Sequence, residues 1–374
     1  MPSDTPNRPR SPLSRRHLLR LGALGAVVMP VAAARRATAR GHAGDMLVAP
    51  SGDIASPALI VGGGRDSKVA HWADTLSDPL TQALKAPQPI DITTSSGRDG
   101  VTAANLFDAR VTPDGNTALI VPGSAILASL AGDARVHFDF SRWVPLIVGQ
   151  ADTIVIGRAD FHRSLRNLLR DRPVRVGVST PTGLELPTLV ALSLLGVRPV
   201  PVAGLATPES ALDALNTNAV DVIQVPRAAV PDDRLAQLAQ AGYPALFTLE
   251  RSGAAADNNA AASSLPSFPA FYGQFHSRPP QAPLANGLRA ISIAASTSLA
   301  VVLPMLTTPS LVAEWRFATH AACATLEREA AREGMSLYTG QNGATAYADA
   351  NPDLTAQLAI KRWIAAREPE WRMG

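Results

Sequence analysis

Four short stretches of this 374-residue chain combine glycine with hydroxyl and charged side chains in a pattern able to hold an anion. They are Gly62-Gly63-Gly64-Arg65-Asp66-Ser67, Ser95-Ser96-Gly97-Arg98-Asp99-Gly100, Pro122-Gly123-Ser124 and Ser179-Thr180-Pro181-Thr182-Gly183. Glycine permits close approach of backbone to a ligand, and Ser and Thr hydroxyls donate hydrogen bonds without a fixed charge. That combination suits a carboxylate. Each stretch alone is equally well explained as a turn, because Gly and Ser recur in turns for steric reasons; what unites the four is that each follows a strand-like run. Arg65 and Arg98 each add a guanidinium, which can grip a carboxylate with two parallel hydrogen bonds or stand solvated at the surface. Asp66 is expected to cap the helix that starts near Ser67.

Catalytic templates are scarce. The chain has no G-x-S-x-G elbow, no G-x-x-x-x-G-K-[ST] phosphate loop and no H-E-x-x-H pair. The run Gly62 to Gly64 lacks the G-x-G-x-x-G spacing of a dinucleotide loop. His17 and His42 fall near the N-terminus, and His71, His137, His162, His276 and His320 are scattered without metal-ligand spacing, so neither a metal nor another cofactor is expected. A single cysteine, Cys323, excludes an internal disulfide and sits in an apolar helical pattern, which favours a small core residue over a catalytic thiol. A hydrolase using Ser124 or Ser179 with a distant His71 or His276 stays open as an alternative, since a triad can assemble in space.

The elements that must position these loops are legible from the hydrophobic pattern. Strand-like Ala58 to Val61 is followed by a helix-like stretch Lys68 to Leu84, a strand Ile90 to Thr93, a helix Val101 to Ala109, a turn at Pro113-Asp114-Gly115 and a strand Thr117 to Val121. A second block repeats the logic through Asp152 to Ile156, Ser164 to Leu169, Val174 to Val178, Leu186 to Leu195, Val200 to Val202, Pro208 to Leu215 and Val220 to Val225. Asp232 to Ala241 then leads to Ala245 to Leu249, and Ser252 to Ser264 reads as a surface loop. Such alternation marks βαβ units and mostly parallel sheets flanked by helices, and ligands of such sheets bind beyond the carboxyl ends of the strands. Near the C-terminus, Thr308 and Pro309 open a helix carrying Leu311, Trp315, Ala318, Ala322 and Leu326, which Gly334 ends; a last helix is expected from Asn351, with Pro352 at its first position, through Trp363.

The formal charge of +3 comes from Arg8, Arg10, Arg15, Arg16, Arg20, Arg35, Arg36 and Arg40, which lie among a single acidic residue, Asp4, and the remainder is slightly acidic. A nucleic-acid partner is therefore not expected. The run S-R-R-H-L-L-R from Ser14 and the apolar stretch Leu21 to Ala34 resemble a twin-arginine export signal, with cleavage after Ala34 or Ala39. An uncleaved anchor is the alternative, although the stretch is shorter than the roughly 20 residues a spanning helix needs.

Several motifs resemble the solute-binding proteins of tripartite tricarboxylate transporters, the Bug family. They are A-L-I-V-G-G-G-R-D from Ala58, T-P-D-G-N-T-A-L-I-V-P-G-S from Thr112, F-D-F-S-R-W-V-P-L from Phe138, V-G-V-S-T-P-T-G from Val176, A-L-D-A-L-N-T-N-A-V-D-V-I from Ala211 and L-P-S-F-P from Leu265, in the family's order. The resemblance implies a two-lobed periplasmic-binding-protein-like (type II-like) α/β fold: an export signal and linker over 1–45, one lobe from 46–150 plus 250–374, and a second from 151–249. It implies a monomer in the periplasm, not an enzyme, that captures a small carboxylate for membrane transporter subunits. The resemblance places ligand contacts in the loop Gly62 to Ser67, where Arg65 is an addition to the family's pattern, at Ser124 and at Ser179 to Thr182; together with the strand-end loops read above, the expected contacts are Gly63, Gly64, Arg65, Asp66, Ser67, Ser95, Ser96, Ser124, Ser179, Thr180, Thr182 and Gly204. The chain departs from the family where a tyrosine-lysine-glycine turn appears as Val202-Ala203-Gly204 and where a histidine is replaced near Pro187. A degenerate member acting as a sensor or interaction protein is a further alternative on that ground.

Overall fold

The computed structural model describes residue 54 and residues 56–159, 173–252 and 265–371. The N-terminal stretch with His17 and His42, where the export signal is expected, the stretch Ser164 to Leu169 with His162, and all of the Ser252 to Ser264 loop beyond Ser252 lie outside the described residues.

Two sheets carry the fold. The first contains β1 (Ala58–Val61), β2 (Asp91–Thr94), β3 (Thr117–Val121), β4 (Val144–Ala151), β10 (Thr297–Leu303) and β11 (Met335–Thr339), in the order β11-β4-β10-β3-β1-β2. The second contains β5 (Thr153–Gly157), β6 (Val174–Gly177), β7 (Pro199–Val202), β8 (Val222–Pro226) and β9 (Ala245–Thr248), in the order β7-β6-β8-β5-β9. The α/β class is as the alternation implies, with helices flanking both sheets. The sheets are mixed rather than mostly parallel: β1 runs parallel to β2 and β3, and β6 to β7 and β8, whereas β4, β5, β9, β10 and β11 pair antiparallel. Parallel neighbours need a helical crossover, and only the βαβ segments supply one. Chain that passes between sheets arrives from the other direction, as where β4 continues into β5 with only Asp152 between them.

Alternation along the strands of the first sheet divides its side chains between two faces. On one face Leu59, Val61, Ile120, Leu299 and Val301 meet Trp72, Leu76 and Leu80 of α1 (Lys68–Ala83) and Trp315 and Ala318 of α9 (Pro309–Arg332). Trp315 donates its indole N–H to the Gly115 carbonyl at 2.7 Å, so this large buried side chain leaves no polar atom unpaired. Cys323 of the same helix is buried, and burial pushes its thiol up to about 12, which makes it a core residue and not a nucleophile.

On the other face Leu119, Val121, Val148 and Val302 pack under α2 (Val101–Arg110), α3 (Gly123–Ala131), α8 (Ala282–Ser296) and α11 (Leu354–Trp371). This cluster runs without a break into the second sheet through Leu189 and Leu192 of α4 (Leu186–Leu194). The remaining helices are α5 (Pro208–Asn216), α6 (Asp232–Gln240), α7 (Phe268–Gly273) and α10 (Gly340–Ala348).

One helix cap and one helix start differ from expectation. Thr308 precedes α9 without a capping side-chain bond. The last helix begins at Leu354 and not at Asn351, because Asn351 N–H closes the preceding helical turn on Ala348 while the Asp353 carboxylate accepts from Ala356 N–H at 2.8 Å. It also runs on to Trp371. Among the described residues no helix is long and apolar enough to cross a membrane.

Candidate functional site

The parallel register of β1 with β2 and β3 brings the carboxyl ends of these three strands side by side, and with them three of the four loops. Gly62 N–H donates to Ile120 O at 2.8 Å, Ser95 N–H to Val61 O at 3.1 Å, and the Ser124 hydroxyl to Asp99 O at 3.1 Å, which ties the loops to one another. Ser67 is the N-cap of α1, its Oγ accepting from Ala70 N–H at 3.2 Å. Asp66 is therefore not the cap: the helix starts one residue later than an Asp66 cap requires, and Asp66 stands exposed. Gly63 is buried, Gly64, Ser95 and Ser124 are half-buried, and Arg65, Ser96 and Arg98 are exposed. Neither arginine forms an ion pair among the described residues; Asp99 pairs instead with Arg135 at 2.7 Å.

Parallel pairing of β6 with β7 makes the second cluster. Gly204 N–H donates to Ser179 O at 3.2 Å, and Leu205 N–H to Val178 O at 3.0 Å. Thr180, Thr182 and Gly204 are exposed, and Ser179 is half-buried. The donors of Ser179 already have an acceptor: its N–H and its hydroxyl both reach Glu185 Oε2, at 3.1 and 2.8 Å. A Cβ at Gly183 would stand 2.5 Å from Ser179 Oγ and 3.1 Å from Glu185 Oε2, so any larger residue there would force the pair to shift. Burial raises the Glu185 carboxyl above its ordinary value, against the lowering effect of the Ser179 bonds.

A cavity of about 150 Å³ opens beside this cluster. Leu184, Glu185, Leu205, Ala206, Thr207 and Pro208 form much of its wall, with Gln224 and Val225 from β8, Thr153 from β5 and Ala295 from α8. Gln224 is held on both sides, accepting from the Thr188 hydroxyl at 2.8 Å and donating to Leu184 O at 2.7 Å. Ala295 links this wall to the first cluster. The neighbouring Ala294 carbonyl lies so near Gly123 that a Cβ there would be 2.0 Å away. Gly123 of the first cluster and the cavity wall beside the second thus both reach the C-terminal end of α8. None of the twelve residues expected to contact ligand lines the cavity itself; Leu205, next to Gly204, is the one lining residue adjacent to any of them.

The serine–histidine pairs of the hydrolase alternative do not form among the described residues. His71 faces Glu333 at 3.7 Å, His276 stacks on Tyr272 with ring centroids 4.3 Å apart, and the Ser124 and Ser179 hydroxyls bond to Asp99 O and Glu185. The residues that sequence reasoning missed are Glu185 and Gln224. Glu185 carried a usable signal, as a carboxylate two positions after Gly183 in a loop otherwise free of charge. Gln224 carried none.

Solved structures share this architecture over nearly their whole length. A ligand-free TctC solute-binding protein from Polaromonas superimposes with a TM-score of 0.57 at 14% identity, covering 83% of this chain and 98% of its own. The fold is that of a TctC solute-binding protein. A periplasmic transporter superimposes with a TM-score of 0.51 at 15% identity, covering 83% and 97%. No protein-family model matches the sequence, and no curated protein matches it. The fold is thus reached with few residues in common.

Proposed function

We propose that this chain is an extracytoplasmic solute-binding protein, not an enzyme, that captures a small carboxylate for the membrane subunits of a tripartite tricarboxylate-type transporter. The observation that carries this reading is the convergence of hydroxyl- and glycine-bearing strand-end loops from both sheets on the end of α8, beside a cavity. The loops of β1, β2 and β3 offer Gly63, Gly64, Ser95, Ser96 and Ser124, the Ser95 and Ser124 hydroxyls by exchanging their present acceptors, Ser96 O and Asp99 O, for the solute, with Arg65 exposed at their rim as a carboxylate grip. Residues 46–150 with 250–374 form one lobe and 151–249 the other. Their crossovers at Asp152 and Leu249–Ser252 are joined by the ion pair of Arg251 with Asp152 at 2.8 Å. Closure about these two crossovers excludes water from the cleft and strengthens the hydrogen bonds to the solute. The protein acts as a monomer in the periplasm after export by its twin-arginine-like leader.

Thermal unfolding of the leader-free protein against mono-, di- and tricarboxylates, amino acids and sugars tests the reading. A solute at about 100 times its dissociation constant stabilises the fold by about 2.7 kcal/mol. A shift confined to carboxylates is the expected result; a shift with sugars alone, or with no compound, refutes it.

A further inference from the structure

Chemistry at the Ser179–Gly183 loop differs from that of an open anion site. By residue type it is a carboxylate cradle, with a hydroxyl and a backbone N–H at Ser179 directed to a common point. A carboxylate oxygen already occupies that point, and it belongs to the chain itself. Glu185 Oε2 stands where an oxygen of a bound anion would stand, and Gly183, with no Cβ to crowd it, leaves room for it there. Glu185 also lines the cavity, whose neighbouring wall is apolar at Leu184, Leu205 and Pro208. Among the described residues no Lys, Arg or His pairs with this carboxylate. The cavity therefore presents one negative group on this wall and has lost the donors that would receive a second anion there.

We propose that Glu185 is an internal stand-in for a solute carboxylate and a specificity-determining residue, so that the solute is a monocarboxylate whose other polar end is a hydrogen-bond donor, an ammonium or a hydroxyl, facing Glu185. This rests on the solute-binding reading above and narrows it: the single carboxylate goes to the loops of β1, β2 and β3, and dicarboxylates are rejected by like charge. A cation or donor reaching Glu185 gains from the low-dielectric wall that would penalise a second anion.

Isothermal titration at pH 7 with butyrate, 4-aminobutyrate and succinate, on the parent and on Glu185→Ser, tests the assignment. Parent protein is expected to prefer 4-aminobutyrate to succinate by at least tenfold, and Glu185→Ser to reverse that order by freeing the Ser179 donors. Glu185→Gln, which keeps the size of the side chain and an acceptor for Ser179, serves if the serine variant does not fold; it is expected to lose the preference for 4-aminobutyrate over butyrate. Succinate bound by the parent with an affinity that neither variant changes overturns the inference alone. So does a parent protein that ignores the ω-amino acid while responding to another dicarboxylate. Silence of the parent towards every compound of the thermal panel overturns the solute-binding reading, and the inference falls with it.

Discussion

At Glu185, burial and hydrogen bonding pull the carboxyl in opposite directions, and burial wins. Its folded-state value lies above that of the unfolded chain, so the folded protein holds the proton to higher pH and the charged side chain opposes folding. That opposition is absent below the unfolded carboxyl range and sets in as pH rises through it to the raised folded value. Glu185→Gln removes the titration. Relative to the parent, the variant is expected to gain stability as pH rises above about 4 and through the raised folded value, with the difference shrinking towards acid; denaturant melts across the acid-to-neutral range measure it. A difference that stays constant with pH would contradict the assignment.

Among the elements, the start of β8 is pinned to β6 by Asp221. Its carboxylate accepts from Arg175 N–H, Nε and Nη2, each at 3.0 Å. Burial alone would raise this carboxyl, but the Arg175 bonds, with Arg158 adding to them, outweigh burial and hold it below the usual range. Because the folded value is depressed, the stabilisation is present above the unfolded carboxyl value and is lost as pH falls through the folded one. Asp221→Asn is expected to cost about 1–2 kcal/mol at neutral pH, a figure kept low because the arginine is partly solvated. Urea melts of parent and variant should converge in acid. How well such elements could be foreseen followed their local pattern. Strand β1 and the start of α1 at Lys68 stand where the hydrophobic pattern puts them, although the cap is Ser67 and not Asp66. The last helix was misplaced by three residues, since a proline at a first turn competes with an aspartate cap and no local rule ranks the two.

At the scale of the whole molecule, the two sheets share one apolar core. Val155, Val176 and Leu189 on one side meet Ile293, Ile360 and Trp363 on the other within a single cluster. Trp363 donates to Ser193 Oγ at 3.1 Å, and the Arg367 guanidinium, 4.3 Å over the same indole, donates to that hydroxyl at 2.9 Å. α11 therefore fastens the first sheet to α4 of the second. Trp363→Ala is expected to cost roughly 3–5 kcal/mol and to leave one cooperative transition, with amide exchange quickened in both sheets. Faster exchange confined to one sheet would show that the shared core does not couple them.

By itself the sequence determined the α/β class, the βαβ blocks and the glycine- and hydroxyl-rich loops after their strands, because hydrophobic period and turn chemistry act over a few residues. Tertiary structure alone decided the mixed strand directions, the core shared through α4 and α11, and the partner of each loop donor. Ser124 could have faced a ligand and bonds to Asp99 O; Ser179 could have awaited an anion and holds Glu185. A hydroxyl is indifferent to which acceptor it meets, so its partner depends on distances between segments far apart in the chain, and those exist only once the chain has folded.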